Sequence, residues 1–369
     1  MTNQEVIKQQ NDYCNVTGWN TSKFTGKGVV IMNCEGNSTH GQQTKQRILD
    51  AAPDATVINA SIGTLTSGGD IYKYDVYYNN ISYSLEDFIV KYKVKILTQS
   101  NHGGTEENTW YSQELNALKK KYNLIFLNLS GNVGETCNGA FPSDVAIWIG
   151  ACSLIKGSPQ YVKQFCNGTA KEFTDFMGWN WGTSFSTPYF AGKCALLIQR
   201  YGDLTQDEVF EYLKMICMDL ETVGMDIYTG YGLPILPSTD KKYTTMQIGN
   251  NNYFVDGAKF TMDTTPVNLN GNTLVPLRTL CDILGATIKT PAYNADKSMH
   301  IEITKGNIVI VLNTGSKLAK VNGQDYTLNE APLIDKNNRT LIPLRFVSEV
   351  LNCKVGWVQS LQKVLILEK

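Results

Sequence analysis

The stretch GTSFSTPYFAG, residues 182–192, places Ser184 after a glycine and a threonine at the head of a long apolar pattern. Pro188 lies within that pattern, although a proline inside a helix removes a backbone hydrogen bond and clashes with the preceding turn. Proline is tolerated in the first turns, where amide donors lack an intrahelical acceptor, so we predict that the helix begins at about Ser184. A serine at that position is either a helix cap or a nucleophile.

Residues 28–236 around this stretch alternate between strand patterns and helix patterns. Short runs of apolar and β-branched residues predict buried strands, and the segments between them carry apolar residues at helical spacing. The strand patterns are GVVIMN, ATVINASI, KVKILTQS, NLIFLNLS and VAIWIGAC, and the helix patterns are YSLEDFIVKYK, ENTWYSQELNALKKKY, residues 184–201, and a segment from the cap Thr205 to about Met218. This alternation predicts an α/β fold with a doubly wound, mostly parallel sheet.

A second region of different character follows a polar, proline-containing linker at residues 237–244. Strand patterns separated by GNN, NGN and NGQ turns prevail there. The segment NGNTLVPLRTLCDILGATI, residues 270–288, is repeated as KNNRTLIPLRFVSEVLNCKV, residues 336–355. Each copy has a turn, a short strand and an amphipathic helix, so residues 245–369 are predicted to form a smaller, pseudo-symmetric α+β domain.

The composition argues against several classes of protein. With 33 basic and 34 acidic residues the formal net charge is -1, which gives no indication of a nucleic-acid partner. The 9 cysteines are an odd number without a CxxC pair, which argues against a zinc site and a disulfide framework. The first residues are polar and no run of about 18 apolar residues occurs, so we expect a cytoplasmic protein without a membrane span.

A nucleophilic serine needs a base, a group that orients the base, and donors for the developing oxyanion. The segment STHGQQTKQRI places His40 at the predicted start of a helix, and NLSGNVG places Asn132 just past a predicted strand. Sites in open α/β sheets lie at the carboxyl ends of strands and at the adjoining helix starts. Ser184, His40 and Asn132 are therefore candidates for a single site.

Four motifs in one order resemble those of the subtilisin-like serine peptidases. GTSFSTPYFAG resembles the nucleophile motif GTSMATPHVAG, and THGQQTKQRILDAAPDA resembles the histidine motif HGTHVAG with its GVAPDA segment. LSGNVGETCNGAFPSDVAIWIGA resembles the segment that supplies the oxyanion asparagine, and FTGKGVVIMNCEGN resembles TGKGVKVAVIDTG, which carries the acidic residue. Four matches in order are specific where one alone is weak. The resemblance implies a subtilisin-like doubly wound sheet over residues 16–236, preceded by an arm at residues 1–15.

The resemblance also implies a role for each matching residue. Ser184 corresponds to the nucleophile, His40 to the general base and Asn132 to the oxyanion donor, with the backbone amide of Ser184 beside it. The segment SNHGG resembles the strand that pairs with extended substrate backbone. The implied substrate-binding residues are Ser100, Asn101, His102 and Gly103 in that segment, and Leu129, Ser130 and Gly131 at the pocket wall.

The acidic position departs from the family pattern. Aligned without gaps, GVVIMNCEG places Glu35 where the family has aspartate, and only four residues separate Glu35 from His40. A carboxylate there can hold His40 in the correct tautomer and stabilise the imidazolium. If a gap is allowed, Asn33 takes the position instead, and an amide in place of the acid typically costs about 10⁴ in turnover. We favour Glu35 and keep Asn33 as the alternative.

The repeat of the second region resembles the domain named after the N-terminus of copper amine oxidases. The motif NGNTLVPLRTLCDILGA and its second copy carry this resemblance. We expect no copper, because one histidine and two separated cysteines make no convincing copper site. Calcium is unsupported, since no dense run of oxygen ligands occurs, and we expect no other metal or cofactor. A spacer, or a domain that docks onto a partner or surface, fits better than catalysis.

Together the resemblances imply a serine endopeptidase that acts on protein or peptide in an extended conformation, with a dedicated protein substrate. The alternative is a pseudoenzyme in which the altered acidic position has abolished turnover and the cleft only binds extended peptide. Secreted members of the family begin with a propeptide, and the arm at residues 1–15 is much shorter. Either the chain matures without a propeptide, or this arm blocks the cleft. Both alternatives suit an intracellular or phage-encoded processing protease.

Overall fold

The computed structural model describes residues 18–19, 23–67, 70–100, 109–132, 145–155, 158–161, 172–176, 182–220, 225–226, 229–236, 241–294 and 298–369. The chain divides into two compact units, Met1–Pro237 and Ser238–Lys369. The predicted arm at residues 1–15 lies outside the described residues.

Five strands of the first unit fall on the predicted apolar runs of the sequence, and the other strands of this unit were not predicted. In chain order the strands are β1 (Val30–Asn33), β2 (Thr56–Asn59), β3 (Ser61–Ser67), β4 (Asp70–Tyr78), β5 (Ile81–Ser84), β6 (Ile96–Gln99), β7 (Ile125–Leu129), β8 (Ile147–Ile155), β9 (Ser158–Tyr161), β10 (Glu172–Phe176), β11 (Cys217–Met218) and β12 (Leu233–Pro234). The helices are α1 (Thr39–Ala51), α2 (Leu85–Tyr92), α3 (Thr109–Tyr122), α4 (Thr183–Tyr201) and α5 (Gln206–Ile216).

The central sheet of this unit has the strand order β10-β8-β7-β6-β1-β2, with β9 paired to β8. All of its pairs are parallel except that of β8 with β9. The prediction of an α/β fold with a mostly parallel sheet is therefore confirmed. After β2 the chain returns to the other side of β1 and continues with β6, so the strand order reverses between β1 and β6. Such a reversal opens a crevice at the carboxyl ends of the two strands.

Helix α4 begins one residue earlier than predicted, at Thr183, and Gly182 is its N-cap. Pro188 is therefore the sixth residue of the helix and lies beyond the first turn. Our explanation that its amide would have lacked an acceptor in any case is wrong, because an amide at this position would bond to the carbonyl of Ser184. Helix α5 has the predicted cap at Thr205, but it ends at Ile216 because Cys217 and Met218 pair with β12.

Helices α1 and α4 pack closely against each other, and a glycine permits the contact. A β-carbon at Gly192 of α4 would lie 2.6 Å from the β-carbon of Ala51 and 2.6 Å from the carbonyl oxygen of Ile48, both in α1. Real side chains do not approach so closely, so any larger residue would push the helices apart. His40 is the second residue of α1 and Ser184 is the second residue of α4, so this packing holds their relative position.

A buried ion pair joins α4 to the edge of the central sheet. The Nζ of Lys193 lies 2.6 Å from the Oδ1 of Asp175 in β10, and both side chains are almost fully buried. The same Nζ lies 4.7 Å from the centre of the Trp19 ring. A charge so buried needs its partner, because losing one member leaves the other desolvated and unpaired.

The second unit is rich in antiparallel strands. In chain order these are β13 (Tyr243–Gln247), β14 (Asn252–Val255), β15 (Ala258–Thr261), β16 (Val267–Leu269), β17 (Asn272–Pro276), β18 (Thr287–Tyr293), β19 (Met299–Lys305), β20 (Ile308–Asn313), β21 (Leu318–Val321), β22 (Gln324–Thr327), β23 (Leu333–Ile334), β24 (Thr340–Pro343), β25 (Cys353–Val358) and β26 (Lys363–Glu368). Its helices are α6 (Leu277–Leu284) and α7 (Leu344–Val350). Strand β13 begins two residues inside the predicted linker.

The two copies of the sequence repeat meet at the centre of this unit. Each copy forms a strand followed directly by a helix, β17 with α6 and β24 with α7. The two strands pair antiparallel, with Val275 opposite Ile342. The apolar faces of both helices enter one core together with the strand residues Ile301 and Ile366. Neither copy can bury its apolar face alone, and the two copies therefore pack together into one pseudo-symmetric core.

Candidate active site

Three of the segments that carry candidate residues meet at the point where the strand order reverses. Glu35 follows β1 by two residues, Ser100 directly follows β6, and His40 lies in the first turn of α1. Ser184 lies in the first turn of α4, which packs on the same sheet and on α1. The fold thus gathers a carboxylate, an imidazole and a hydroxyl at the carboxyl edge of the sheet.

The Glu35 carboxylate contacts two neighbours with its two oxygens. Its Oε2 lies 3.2 Å from the Nδ1 of His40, and its Oε1 accepts a hydrogen bond of 2.7 Å from the backbone amide of Ser100. Its side chain is 5% exposed, whereas that of His40 is 38% exposed. An ionised carboxylate only accepts hydrogen bonds, so a neutral imidazole paired with it donates from Nδ1 and keeps an unprotonated Nε2.

The alternative acidic position, Asn33, has a different environment. Its side chain is fully buried, and its Nδ2 lies 3.1 Å from the carbonyl oxygen of Gly41, 2.9 Å from the Oγ1 of Thr44 and 2.9 Å from the Oδ1 of Asn59. These contacts tie β1 to the first turns of α1 and to β2. The amide of Asn33 therefore supports the helix that carries His40, and it is Glu35 that contacts the imidazole.

Ser184 is the second residue of α4 and is partly exposed. Its hydroxyl donates a hydrogen bond of 3.0 Å to the carbonyl oxygen of Ser100. Within the described residues, no hydrogen bond joins this hydroxyl to the imidazole of His40. The backbone amide of Ser184 lies in the first turn of the helix, where amides have no intrahelical acceptor and the helix dipole favours negative charge.

Asn132 is fixed next to the start of α4. Its Oδ1 accepts a hydrogen bond of 2.8 Å from the backbone amide of Thr183 and one of 2.9 Å from the Thr183 hydroxyl. A backbone amide can only donate, so these bonds decide which side-chain atom is the oxygen and turn the Nδ2 away from Thr183. Gly182 has a φ of 104°, and a β-carbon there would lie 3.1 Å from the Asn132 oxygen, so a glycine suits this position on both counts.

Phe185 also contacts His40, and the sequence reasoning missed it. Its ring meets the imidazole edge-on, with ring centroids 5.6 Å apart and an interplanar angle of 61°. The imidazole is therefore held by Glu35 at one nitrogen and by an aromatic ring beside it. The only sequence signal was a phenylalanine where the family motif quoted above has methionine, directly after the serine.

The predicted substrate-binding residues have different outcomes. Asn101, His102 and Gly103 lie outside the described residues. Ser100 is buried, with its amide bonded to Glu35 and its carbonyl to Ser184. Leu129, Ser130 and Gly131 are buried at the end of β7, and the Gly131 carbonyl accepts a bond of 3.2 Å from the Thr183 hydroxyl.

Three buried cysteines of this unit do not offer a competing nucleophile. Cys34, Cys152 and Cys194 are buried, and burial raises the pKa of each thiol, so they stay protonated at neutral pH. Among the described residues, no group of three or more histidine, cysteine, aspartate or glutamate side chains is arranged to hold a metal ion. In the same part of the chain, no helix is both long and apolar enough to cross a bilayer.

Comparison with known proteins gives different results for the two units. The family described as "Copper amine oxidase N-terminal domain" matches residues 234–298 and again residues 290–366, which confirms the family predicted for the C-terminal repeat. No curated protein matches the chain.

Three solved structures similar to this chain cover 58–63% of it at 12–16% identity. The crystal structure of a lanthipeptide protease is 15% identical, covers 63% of this chain and 95% of its own, and has a TM-score of 0.44. A protease from Pseudoalteromonas arctica is 12% identical, with 61% and 95% covered and a TM-score of 0.44. A cold-adapted subtilisin-like serine proteinase is 16% identical, with 58% and 92% covered and a TM-score of 0.42.

Proposed function

We propose that the first unit is a serine endopeptidase of the subtilisin-like family. In this proposal Ser184 is the nucleophile, His40 the general base, Glu35 the residue that orients His40, and Asn132 an oxyanion donor. The observation that carries it is the contact between the Glu35 carboxylate and the Nδ1 of His40, at a site where a serine lies in the first turn of the neighbouring helix. The four sequence motifs are the reason for assigning this geometry to the subtilisin-like family.

The proposed reaction follows from the positions of the donors and acceptors. Because Glu35 accepts from Nδ1, the Nε2 of His40 can take the proton of the Ser184 hydroxyl as its oxygen attacks the scissile carbonyl. The carboxylate then stabilises the imidazolium, and His40 returns the proton to the leaving amine. The Asn132 Nδ2 and the Ser184 amide are the groups that would bind the developing oxyanion.

Before it can react, the Ser184 hydroxyl must leave the carbonyl of Ser100, to which it donates here. In the proposed reaction a rotation about the Cα–Cβ bond of Ser184 would turn the hydroxyl toward the imidazole. Catalytic hydrogen bonds are often absent or long without substrate and form in the substrate complex. We infer that extended protein or peptide is the substrate, and that its backbone pairs with the segment that begins at Ser100.

The same bond is the specific observation that favours the second candidate, a peptide-binding protein without turnover. A hydroxyl that stays on the Ser100 carbonyl cannot give its proton to His40. The cleft would then retain peptide without cleaving it. We favour the peptidase because a pseudoenzyme would have no need for a carboxylate that fixes the imidazole tautomer.

The two candidates are separated by a peptide library made from a denatured proteome. We would incubate the library with the native chain and with Ser184→Ala, then label and sequence the new N-termini by mass spectrometry. The peptidase proposal predicts new termini with the native chain and none with Ser184→Ala. Peptides retained equally by both proteins, with no new termini, would establish the binding protein instead.

A further inference from the structure

The second unit contains a cavity of about 520 Å³ between the two copies of its repeat. This volume lies within the range of about 300–1,000 Å³ that is usual for small-molecule sites. The turn before β17 forms one wall, and helix α7 with strand β25 forms the other. The lining residues that matter for its chemistry are Asn268, Asn272, Glu330, Arg345, Phe346 and Trp357.

Two aromatic side chains, Phe346 and Trp357, form the apolar part of the cavity, and both are half-buried. The indole nitrogen of Trp357 donates a hydrogen bond of 2.7 Å to the Oε1 of Gln359. The ring of Phe346 meets that of Tyr326 edge-on at 6.1 Å. Both aromatic surfaces are therefore already oriented, which lowers the entropy cost of packing a ligand on them.

Two amide side chains on the opposite wall are oriented but only half used. The Oδ1 of Asn268 accepts a hydrogen bond of 3.0 Å from the amide of Gly271, and the Nδ2 of Asn272 donates one of 3.0 Å to the carbonyl of Asn270. These bonds leave the Nδ2 of Asn268 as a donor and the Oδ1 of Asn272 as an acceptor. Such a pair suits hydroxyl groups, because a hydroxyl both donates and accepts.

The charges of the cavity disfavour an anionic ligand. A hydrogen bond from Asn270 holds the pKa of the Glu330 carboxyl below its usual range, so Glu330 is ionised at neutral pH. The guanidinium of Arg345 donates 3.1 Å to the carboxylate of Glu349, a second acidic residue of the lining. The Nζ of Lys317 lies 4.0 Å from the Oε1 of Glu330, so Lys317 and Arg345 each already neutralise a carboxylate beside the cavity and offer little attraction to a phosphate or a carboxylate.

The geometry also disfavours a peptide that adds to the sheet as a strand. Strand β25 is the last strand of its sheet, and strand addition needs the free carbonyls and amides of such an edge. The carbonyl oxygen of Val355 in β25 already accepts a hydrogen bond of 3.0 Å from Arg345. Side chains, and not the strand edge, are thus the groups that this wall presents to a ligand.

We propose that this cavity binds a neutral carbohydrate chain. One sugar ring packs its C–H face on Trp357, and its hydroxyls bond to the amides of Asn268 and Asn272. A sugar ring combines an apolar face with a rim of neutral hydroxyls, which is the combination that the oriented aromatics and half-used amides require. Through this site the second unit would dock onto a carbohydrate-bearing partner or surface. The proposal does not depend on the proposed peptidase activity.

Isothermal titration calorimetry on the full chain tests this proposal. The probes are the hexasaccharides of β-1,4-linked glucose, xylose and N-acetylglucosamine, with a capped Thr-Val octapeptide as the competing class. We expect at least one hexasaccharide to bind and the octapeptide not to bind. Trp357→Ala should weaken that binding about tenfold, and Asn272→Ala about threefold to tenfold.

The matched control is Tyr293→Ala, which removes an aromatic side chain of the same unit that is 67% exposed and lies outside the cavity lining. It should change the affinity less than about twofold, as expected for a side chain without contact to the ligand. If Trp357→Ala fails to fold, as judged by circular dichroism, Asn272→Ala at the start of β17 still decides the outcome. Absence of binding to all three sugars would overturn the proposal. So would binding that neither variant weakens, or octapeptide binding that depends on Trp357.

Discussion

Replacing Glu35 by glutamine separates its proposed role from a merely structural one. The change keeps the size of the side chain and removes its charge. Its effect follows from the two contacts of the carboxylate, at 2.7 Å to the backbone amide of Ser100 and at 3.2 Å to the Nδ1 of His40. The amide of Ser100 is a fixed donor, so the single oxygen of the glutamine must face it.

The glutamine NH₂ group then faces His40, and this determines the imidazole tautomer. A group that only donates requires Nδ1 to accept, which moves the ring proton to Nε2. A protonated Nε2 cannot take the proton of Ser184. An amide in place of the triad acid costs about 10⁴ in turnover elsewhere, equivalent to about 5 kcal/mol of transition-state stabilisation, and we expect a loss of this order.

The assay is the rate at which a fluorophosphonate probe labels Ser184 in each variant, with the labelled peptide identified by mass spectrometry. Glu211→Gln is the matched control, because it removes a carboxylate of the same unit that accepts hydrogen bonds of 2.9 Å and 3.2 Å from Lys214. The control should label at the native rate. A folded Glu35→Gln variant that labels within about tenfold of the native rate would refute the tautomer argument.

Three further predictions concern the support of the site. Phe185→Leu should slow labelling about threefold to tenfold, because His40 loses an aromatic edge contact; an unchanged rate would remove Phe185 as a positioning residue. Lys193→Met leaves Asp175 buried without its cation, so chemical denaturation should show a loss of about 3–5 kcal/mol, most of which the double variant with Asp175→Leu should restore. Because burial raises the pKa of the Cys194 thiol, iodoacetamide at pH 7.5 should leave it unmodified in the native chain, and rapid alkylation seen by mass spectrometry would contradict its burial.

The central strands of the first unit could be predicted because they are buried on both faces, whereas the separate sheet of β3, β4 and β5 was not predicted. KVKILTQS and NLIFLNLS are continuous apolar runs, and they form β6 and β7 at the centre of the sheet. The first residue of α4 was harder to predict from the sequence. It begins at Thr183 because the side chain of Asn132 accepts the Thr183 amide, a contact between residues far apart in the sequence.

The candidate residues that lie in clear motifs could be predicted from the sequence. The acidic position stayed ambiguous, because the choice between Glu35 and Asn33 depends on three-dimensional packing. Glu35 and Asn33 are two residues apart at the end of β1, so strand alternation places both on the same side of the chain. Only the packing of α1 shows that Asn33 lies beneath the helix and that Glu35 contacts the imidazole. The contact of Phe185 with His40 likewise depends on how α4 packs against α1.

The central claim is that Ser184 is an activated nucleophile, and covalent labelling of the native chain tests it most directly. The chain would be treated with a fluorophosphonate, digested and mapped by mass spectrometry, beside Ser184→Ala and a heat-denatured sample. We predict one adduct on Ser184 in the native chain and none in the variant or the denatured sample. A folded native chain without an adduct at Ser184 would contradict the claim.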